Sequence, residues 1–240
     1  MKGDDILEGE FPSFAQLEIE GSTFKLCSAV IVSDYHLLTA GHCVRDDSSG
    51  AVIEPRYIKA VVGTRVNIFS ENRGINLEVE RVCPHPGAKT LKNDIAMLKL
   101  AKKLKFGKLI RPACWPLEPV EEIAIDQNSV CFQVGAGIDA RVKKGGAGHS
   151  KFYIQKLRIH YKGEKGRGPG FITFRNSTGA VCLGDSGGPS LCLNRVTERW
   201  TLIGVASISA CRPNGPNRNA RIDSVLAAKS LQDCSPFKSG

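Results

Sequence analysis

A chain of 240 residues, 42% hydrophobic, 24% charged and 7% aromatic, has the composition of a chain that closes a core, which excludes a disordered polypeptide. No uninterrupted apolar run reaches the roughly 18 residues that a membrane-crossing helix needs, so a helical span is excluded as well. The formal charge of +9 reads first as a solvated surface, with glycan or other polyanion binding as the alternative. The basic clusters Lys102-Lys103-Leu104-Lys105, Arg141-Val142-Lys143-Lys144 and Lys162 to Arg167 lack the interleaved aromatics that single-stranded nucleic acid would want.

In chain order, Met1 to Glu10 carry Lys2, Asp4, Asp5 and Glu8 and lack the apolar stretch of a secretory signal, so the sequence is read as starting inside a longer precursor. Leu26 to Leu38 then read as two β-rich segments around the polar turn at Ser33 and Asp34. Further predicted strands are Ile58 to Val62, Leu77 to Val82, Ile95 to Leu100, Val130 to Val134, Phe152 to Ile159 and Trp200 to Ile208. The 25 glycines and 12 prolines between them favour short strands joined by turns, hence an antiparallel sandwich or barrel. Lys102 to Asp126, rich in proline and charge, reads as a bridge between two halves, and Ile222, Val225, Leu226 and Leu231 recur at helical spacing before Cys234 and Pro236. Nine cysteines scattered along the chain, without close Cys-x-x-Cys pairs, point to disulfides and an oxidising compartment.

Three segments carry chemistry. In Gly184-Asp185-Ser186-Gly187-Gly188-Pro189 a serine stands between glycines, where a sharp, open turn exposes a hydroxyl and backbone amides; alone, Asp-Ser-Gly would be a polar surface loop. Ser186 needs a base, and His42, in Leu38-Thr39-Ala40-Gly41-His42-Cys43, ends an apolar strand beside a cysteine that would pin its backbone. Asp94 opens the apolar run Asn93-Asp94-Ile95-Ala96-Met97-Leu98-Lys99-Leu100. A single histidine is more often structural, and a single aspartate here could be a turn residue.

Together, and in the order His, Asp, Ser, these segments resemble the chymotrypsin-like (trypsin-like, S1) serine proteases over nearly the whole chain. The resemblance implies an all-β fold, two antiparallel Greek-key β-barrels packed face to face with a short C-terminal helix. The expected divisions are a propeptide remnant at 1–5, a first barrel near 16–105, a linker near 106–126, a second barrel near 127–222 and the helix near 223–234. It implies a triad in which Ser186 attacks the scissile carbonyl, His42 moves the proton and Asp94 orients the imidazole, with Ser207 supporting Asp94. The amides of Gly184 and Ser186 match the oxyanion hole, where one lost donor removes about 3 kcal/mol of transition-state stabilisation. Ile6-Leu7-Glu8-Gly9 resembles the family's processed N-terminus, so cleavage after Asp5 would free Ile6 to pair with Asp185. The family's bridges match Cys27 with Cys43, Cys131 with Cys192 and Cys182 with Cys211; Cys114 matches a cysteine that often holds a propeptide, and Cys83 with Cys234 would use up the rest.

The same alignment puts Ala180 at the base of the primary specificity pocket and Ser209 and Asn217 on its walls, with Ile208 where a tryptophan is usual. Cleavage after Lys or Arg is not expected; a narrowed, elastase-like pocket for small side chains is one reading. Arg218 reaching the pocket, which would favour an acidic residue, is the other. No cofactor and no metal are expected: acidic ligands for the family's calcium loop, near Thr64 to Glu80, cannot be placed. Asn176-Ser177-Thr178 is an N-glycosylation sequon. The expected protein is a secreted, monomeric endopeptidase acting on peptides and proteins, with protein inhibitors as candidate partners. The alternative is a catalytically silent relative that binds partners or glycans; a disulfide-rich adhesion domain would leave the three motifs unexplained.

Overall fold

A computed structural model describes residues 3–66, 74–86, 88, 93–116, 125, 128–137, 154–161, 171–177, 179–222 and 234. The described elements are strands, apart from short 3-10 turns such as Gly41–Val44 and Pro55–Tyr57. The first barrel is built from β2 (Phe14–Glu20), β3 (Phe24–Ile31), β4 (His36–Thr39), β5 (Ile58–Val62), β6 (Ile75–Pro84) and β7 (Ala96–Leu100), closed in the order β2-β3-β4-β7-β6-β5. The second contains β8 (Cys131–Gly135), β9 (Gln155–Tyr161), β10 (Phe171–Arg175), β11 (Pro189–Leu193), β12 (Trp200–Ser209) and β13 (Asn217–Arg221). Its order is β9-β10-β13-β12-β11-β8, and the pairing of β8 with β9 closes the ring. Every neighbouring pair in both barrels is antiparallel. The two barrels meet the fold expected from the sequence; the C-terminal helix lies outside the described residues, as do the basic segments 141–144 and 162–167.

Apolar residues decide which face turns inward. In β2, Leu17 and Ile19 are buried while Glu20 faces solvent, and Leu17, Ile19, Ala29, Ile31, Leu37, Leu98 and Leu100 fill the first barrel. The larger cluster joins the barrels: Val30, Val32, Leu38, Ile95 and Met97 of the first pack with Ile172, Phe174, Leu202 and Val205 of the second. Ile95 and Ala206, the chain neighbours of Asp94 and Ser207, belong to this shared core, so its packing fixes one barrel's side chains relative to the other's.

Disulfides join Cys27 to Cys43, Cys131 to Cys192, Cys182 to Cys211 and Cys83 to Cys234, leaving Cys114 free and exposed. The last bridge ties β6 of the first barrel to the chain's end, across a sequence separation of 151 residues. Long closed loops of this kind stabilise chiefly by restricting the unfolded chain.

The uncleaved N-terminal segment lies on the second barrel. Asp4–Asp5 form a short strand, β1, paired with β9 through Asp4 to Lys156 and Asp5 to Gln155. Ile6 follows as a buried residue whose peptide N–H donates to the Ile154 carbonyl at 3.1 Å, packed with Phe14, Val134 and Ala136. The sequon also reads differently in three dimensions. Asn176 is buried, its carboxamide nitrogen donates to the Arg158 carbonyl and its oxygen accepts the Gly179 amide at 2.5 Å, so this side chain is occupied in holding a turn.

Candidate active site

His42 lies in the 3-10 turn that leaves β4, with the neighbouring Cys43 bridged back to Cys27 on β3. A Cβ at Gly41 would stand 2.4 Å from Ala88 Cβ and 3.1 Å from Asp94 Oδ1, so glycine is what allows the carboxylate to close on this turn. Asp94, fully buried just before β7, accepts the His42 backbone N–H on Oδ1 and His42 Nδ1–H on Oδ2, both at 2.7 Å. Ser207 Oγ donates to the same Oδ2 at 2.5 Å.

Burial pushes the Asp94 carboxyl up, but the hydrogen bond and charge of His42, the Ser207 hydroxyl and the His42 amide outweigh it and leave the group below the usual carboxylate range. A carboxyl lowered in the fold contributes stability above its unfolded value, about 3.9, and loses that contribution as pH falls through its folded value. The gap in urea midpoint between wild type and Asp94→Asn is therefore expected to be open at pH 5 and to close toward pH 2. Urea titrations of both proteins at the two pH values measure it, and a gap that widens in acid would contradict the assignment.

Ser207 owes its direction to a bulge. β12 pairs with β13 through Ala206 to Asn219, then Ile208 to Arg218 and Ser209 to Asn217, so Ser207 is the extra residue. Bulges re-aim side chains beside sites, and this one turns a serine of the second barrel onto the aspartate of the first.

Ser186 stands on a turn held from several sides. Gly187 N–H donates to the Ala206 carbonyl at 2.8 Å, Ala206 N–H to Gly188 O at 2.9 Å and Gly188 N–H to Asp185 O at 3.0 Å. Gly187 has φ +83°, and a Cβ there would be 2.1 Å from Ser28 O and 2.2 Å from Thr39 Oγ1, so no other residue fits the turn after the serine. The N–H groups of Gly184 and Ser186 donate to no acceptor among the described residues, which leaves both available to an incoming oxyanion.

Ser186 and His42 line one cleft of about 350 Å³. Among the described residues the Ser186 hydroxyl makes no hydrogen bond to His42. Such bonds are often long without substrate and tighten when one binds.

Asp185, fully buried beneath the turn, accepts the Gly137 N–H at 2.7 Å and the Cys182 N–H at 2.8 Å. Burial pushes its carboxyl up, opposed by the positive charge of the chain's amino terminus and by those two amides. In the uncleaved chain Ile6 keeps its peptide bond to Asp5 and donates its N–H to Ile154, while Asp4 and Asp5 pair with β9; the expected pair of Ile6 with Asp185 belongs to the chain cut after Asp5.

The expected specificity residues fall into two groups around the cleft. Ser209, Ile208 and Arg218 line it, along with Val181, Leu183 and Asn219, whereas Ala180 and Asn217 do not. Ala180 is 5% and Asn217 3% exposed, both packed behind the wall. Ser209 Oγ lies 2.5 Å from the Val181 carbonyl and 2.7 Å from the Asn217 carboxamide. Both contacts are to oxygens, the Val181 carbonyl and Asn217 Oδ1, and the hydroxyl's one proton serves one of them at a time. Among the described residues the Arg218 side chain has no carboxylate and no hydrogen-bond acceptor paired with it.

Sequence reasoning passed over two features. Gln133, Ser190 and Asn219 form a buried network behind the cleft: Ser190 Oγ donates to Gln133 Oε1 at 2.6 Å, Asn219 Nδ2 to the same atom at 2.7 Å, and Gln133 Nε2 to the Gly188 and Pro189 carbonyls at 2.8 and 3.0 Å. Ser28, on β3, bonds the nucleophile turn directly. The signal for each was a polar residue inside a strand otherwise buried on both sides.

Comparison with known proteins gives the family. The family model described as Trypsin matches residues 1–228. Mouse (Mus musculus) ovochymase-2 is 27% identical over 222 residues, covering 85% of this chain and 34% of the relative. Ovochymase of Halocynthia roretzi is 30% identical over 218 residues, 86% of this chain and 13% of the relative, and venom serine protease 34 of Apis mellifera is 27% identical over 238 residues, 90% and 54%. The chain thus spans between 13% and 54% of the length of these relatives. With two closed barrels, a carboxylate-backed histidine and the glycine-flanked serine in one cleft, the chain belongs to the trypsin family of chymotrypsin-like serine proteases.

Proposed function

We propose that this chain is a secreted serine endopeptidase that cleaves peptide bonds on the carboxyl side of acidic residues. The observation that carries the acidic preference is the Arg218 guanidinium, unpaired among the described residues, lining the same cleft as His42 and Ser186. A substrate carboxylate is the partner such a cation lacks. Four disulfides support an oxidising compartment.

In this reading Ser186 Oγ bonds to the scissile carbonyl carbon as its proton passes to His42 Nε2, and the carbonyl oxygen becomes an oxyanion facing the Gly184 and Ser186 amides. The C–N bond then breaks, the amine leaving with the proton from His42, and an acyl-enzyme remains. Water attacks the ester, again giving its proton to His42, which returns it to Ser186 as the acid product departs. Asp94 keeps its charge throughout and stabilises the imidazolium that forms twice.

A fluorophosphonate probe tests the chemistry, since it forms a stable adduct only with an activated serine. The expected result is a single adduct on the peptide containing Ser186, located by mass spectrometry. A folded protein without an adduct would favour the silent, partner-binding alternative.

A further inference from the structure

We infer that Ser28 is a positioning residue for the oxyanion hole, acting from the first barrel on the nucleophile turn of the second; the inference rests on the protease reading above. Ser28 is fully buried on β3, next to the Cys27–Cys43 bridge. It meets the turn through main chain and side chain at once. Its N–H donates to the Ser186 carbonyl at 2.7 Å, and its Oγ donates to the Gly184 carbonyl at 2.9 Å.

The hydroxyl's direction is itself set. Ala136 N–H donates to Ser28 Oγ at 3.4 Å, which leaves the hydroxyl proton for Gly184, and Thr39 Oγ1 donates to the Ser28 carbonyl at 2.7 Å. The peptide between Gly184 and Asp185 is therefore held at both polar ends, its carbonyl by Ser28 and its N–H by the Cys182 carbonyl at 3.1 Å.

That peptide flanks the hole. Gly184 has φ +88° and, as a glycine, no side chain to resist rotation, so the direction of its own N–H depends on anchors outside it. Gly137 blocks movement on one side, since a Cβ at Gly184 would be 2.8 Å from Gly137 Cα. On the other side the Ser28 hydroxyl holds the carbonyl. Without it, the carbonyl has lost its protein partner and the Gly184 N–H is free to swing from the oxyanion's position.

The test compares wild type with Ser28→Ala and Ser28→Cys, using active-site titration with a fluorophosphonate so that kcat refers to competent molecules only. Ser28→Ala is expected to lower kcat about tenfold, a fraction of what loss of a whole oxyanion donor removes, with KM changed less than about twofold. Affinity for a peptide aldehyde, whose adduct with Ser186 carries an oxyanion, should fall in parallel with kcat. Ser28→Cys, which keeps a weaker donor, should lie between. A purely structural role would lower Tm or the titratable fraction and leave kcat and aldehyde affinity per site unchanged; that result overturns the inference alone. A wild-type protein that does not react with the fluorophosphonate overturns the protease reading and this inference with it.

Discussion

Substituting Ser186→Ala is expected to lower kcat by about 10⁶-fold and Asp94→Asn by about 10⁴-fold, the scale on which serine-protease triads respond. The first removes the only atom placed to bond with the substrate. The second is more informative, because an asparagine matches the carboxylate's shape. Asp94 takes three donors on two oxygens: the His42 amide on Oδ1, and His42 Nδ1 with the Ser207 hydroxyl on Oδ2. A carboxamide has one accepting oxygen and one donating nitrogen. If its oxygen faces Nδ1, the nitrogen points a donor at the His42 amide. If its nitrogen faces Nδ1, the ring must carry its proton on Nε2, where it cannot accept one from Ser186. Either orientation breaks a bond that sets the base. Combining both substitutions should remove little more than Ser186→Ala alone, since the residues act as one unit. Steady-state kinetics on folded protein measure all three, and an Asp94→Asn enzyme within tenfold of wild type would sink the assignment.

The proposed triad residues were legible in the sequence because each sits in a local frame that only a few residue types can fill. Gly41 admits the Asp94 carboxylate, and Gly187 admits the Ser28 carbonyl, so those glycines record contacts 52 or more residues away in the chain. Strands with plain apolar character were equally visible: Ile58 to Val62 coincides with β5, and Leu77 to Val82 falls within β6. β13 was not visible, because Asn-Arg-Asn-Ala-Arg has no apolar alternation. Its two asparagines are nevertheless buried, one against Ser209 and the other against Gln133 and Ser190, so hydrogen bonds supply what apolar periodicity usually signals. β10, β11 and the leading β2 were also left unassigned, although β2 alternates clearly.

Ile6-Leu7-Glu8-Gly9 was legible as a candidate processed terminus, but the pairing of Asp4 and Asp5 with β9 in the uncleaved chain was not, since both residues are charged and exposed and carry no apolar signal. The bulge at Ser207 also sets the register of the expected pocket residues. Counting along β12 and β13 without the extra residue would pair Ser207 with Arg218; with it, Ile208 pairs with Arg218, and Ser209 stands opposite Asn217, the other expected wall residue.

In the proposed reading Arg218 is the residue on which substrate choice turns. In a library varied at the residue before the cleaved bond, wild type is expected to favour Asp and Glu, and Arg218→Glu to favour Lys and Arg. A close charge pair at a partly desolvated contact contributes about 2 to 3 kcal/mol, so each arm of the exchange is worth on the order of 10² in kcat/KM. The ratio of acidic to basic cleavage should then swing by about 10⁴-fold. Leu183 and Ile208 line the same cleft, so the charge works against apolar walls rather than in open water, where screening would shrink it. Arg218→Ala should lose the acidic preference without acquiring a basic one, because neither Ser209 nor Asn219 supplies a charge. Ser209 presents its other behaviour in the rival case: if small residues are preferred in wild type and neither substitution at 218 alters the profile, the hydroxyl fixed to Val181 and Asn217 narrows the pocket and Arg218 is a bystander. Cleavage by wild type only after Lys or Arg would rule out both descriptions, since the Arg218 guanidinium would then repel the side chain it is supposed to receive.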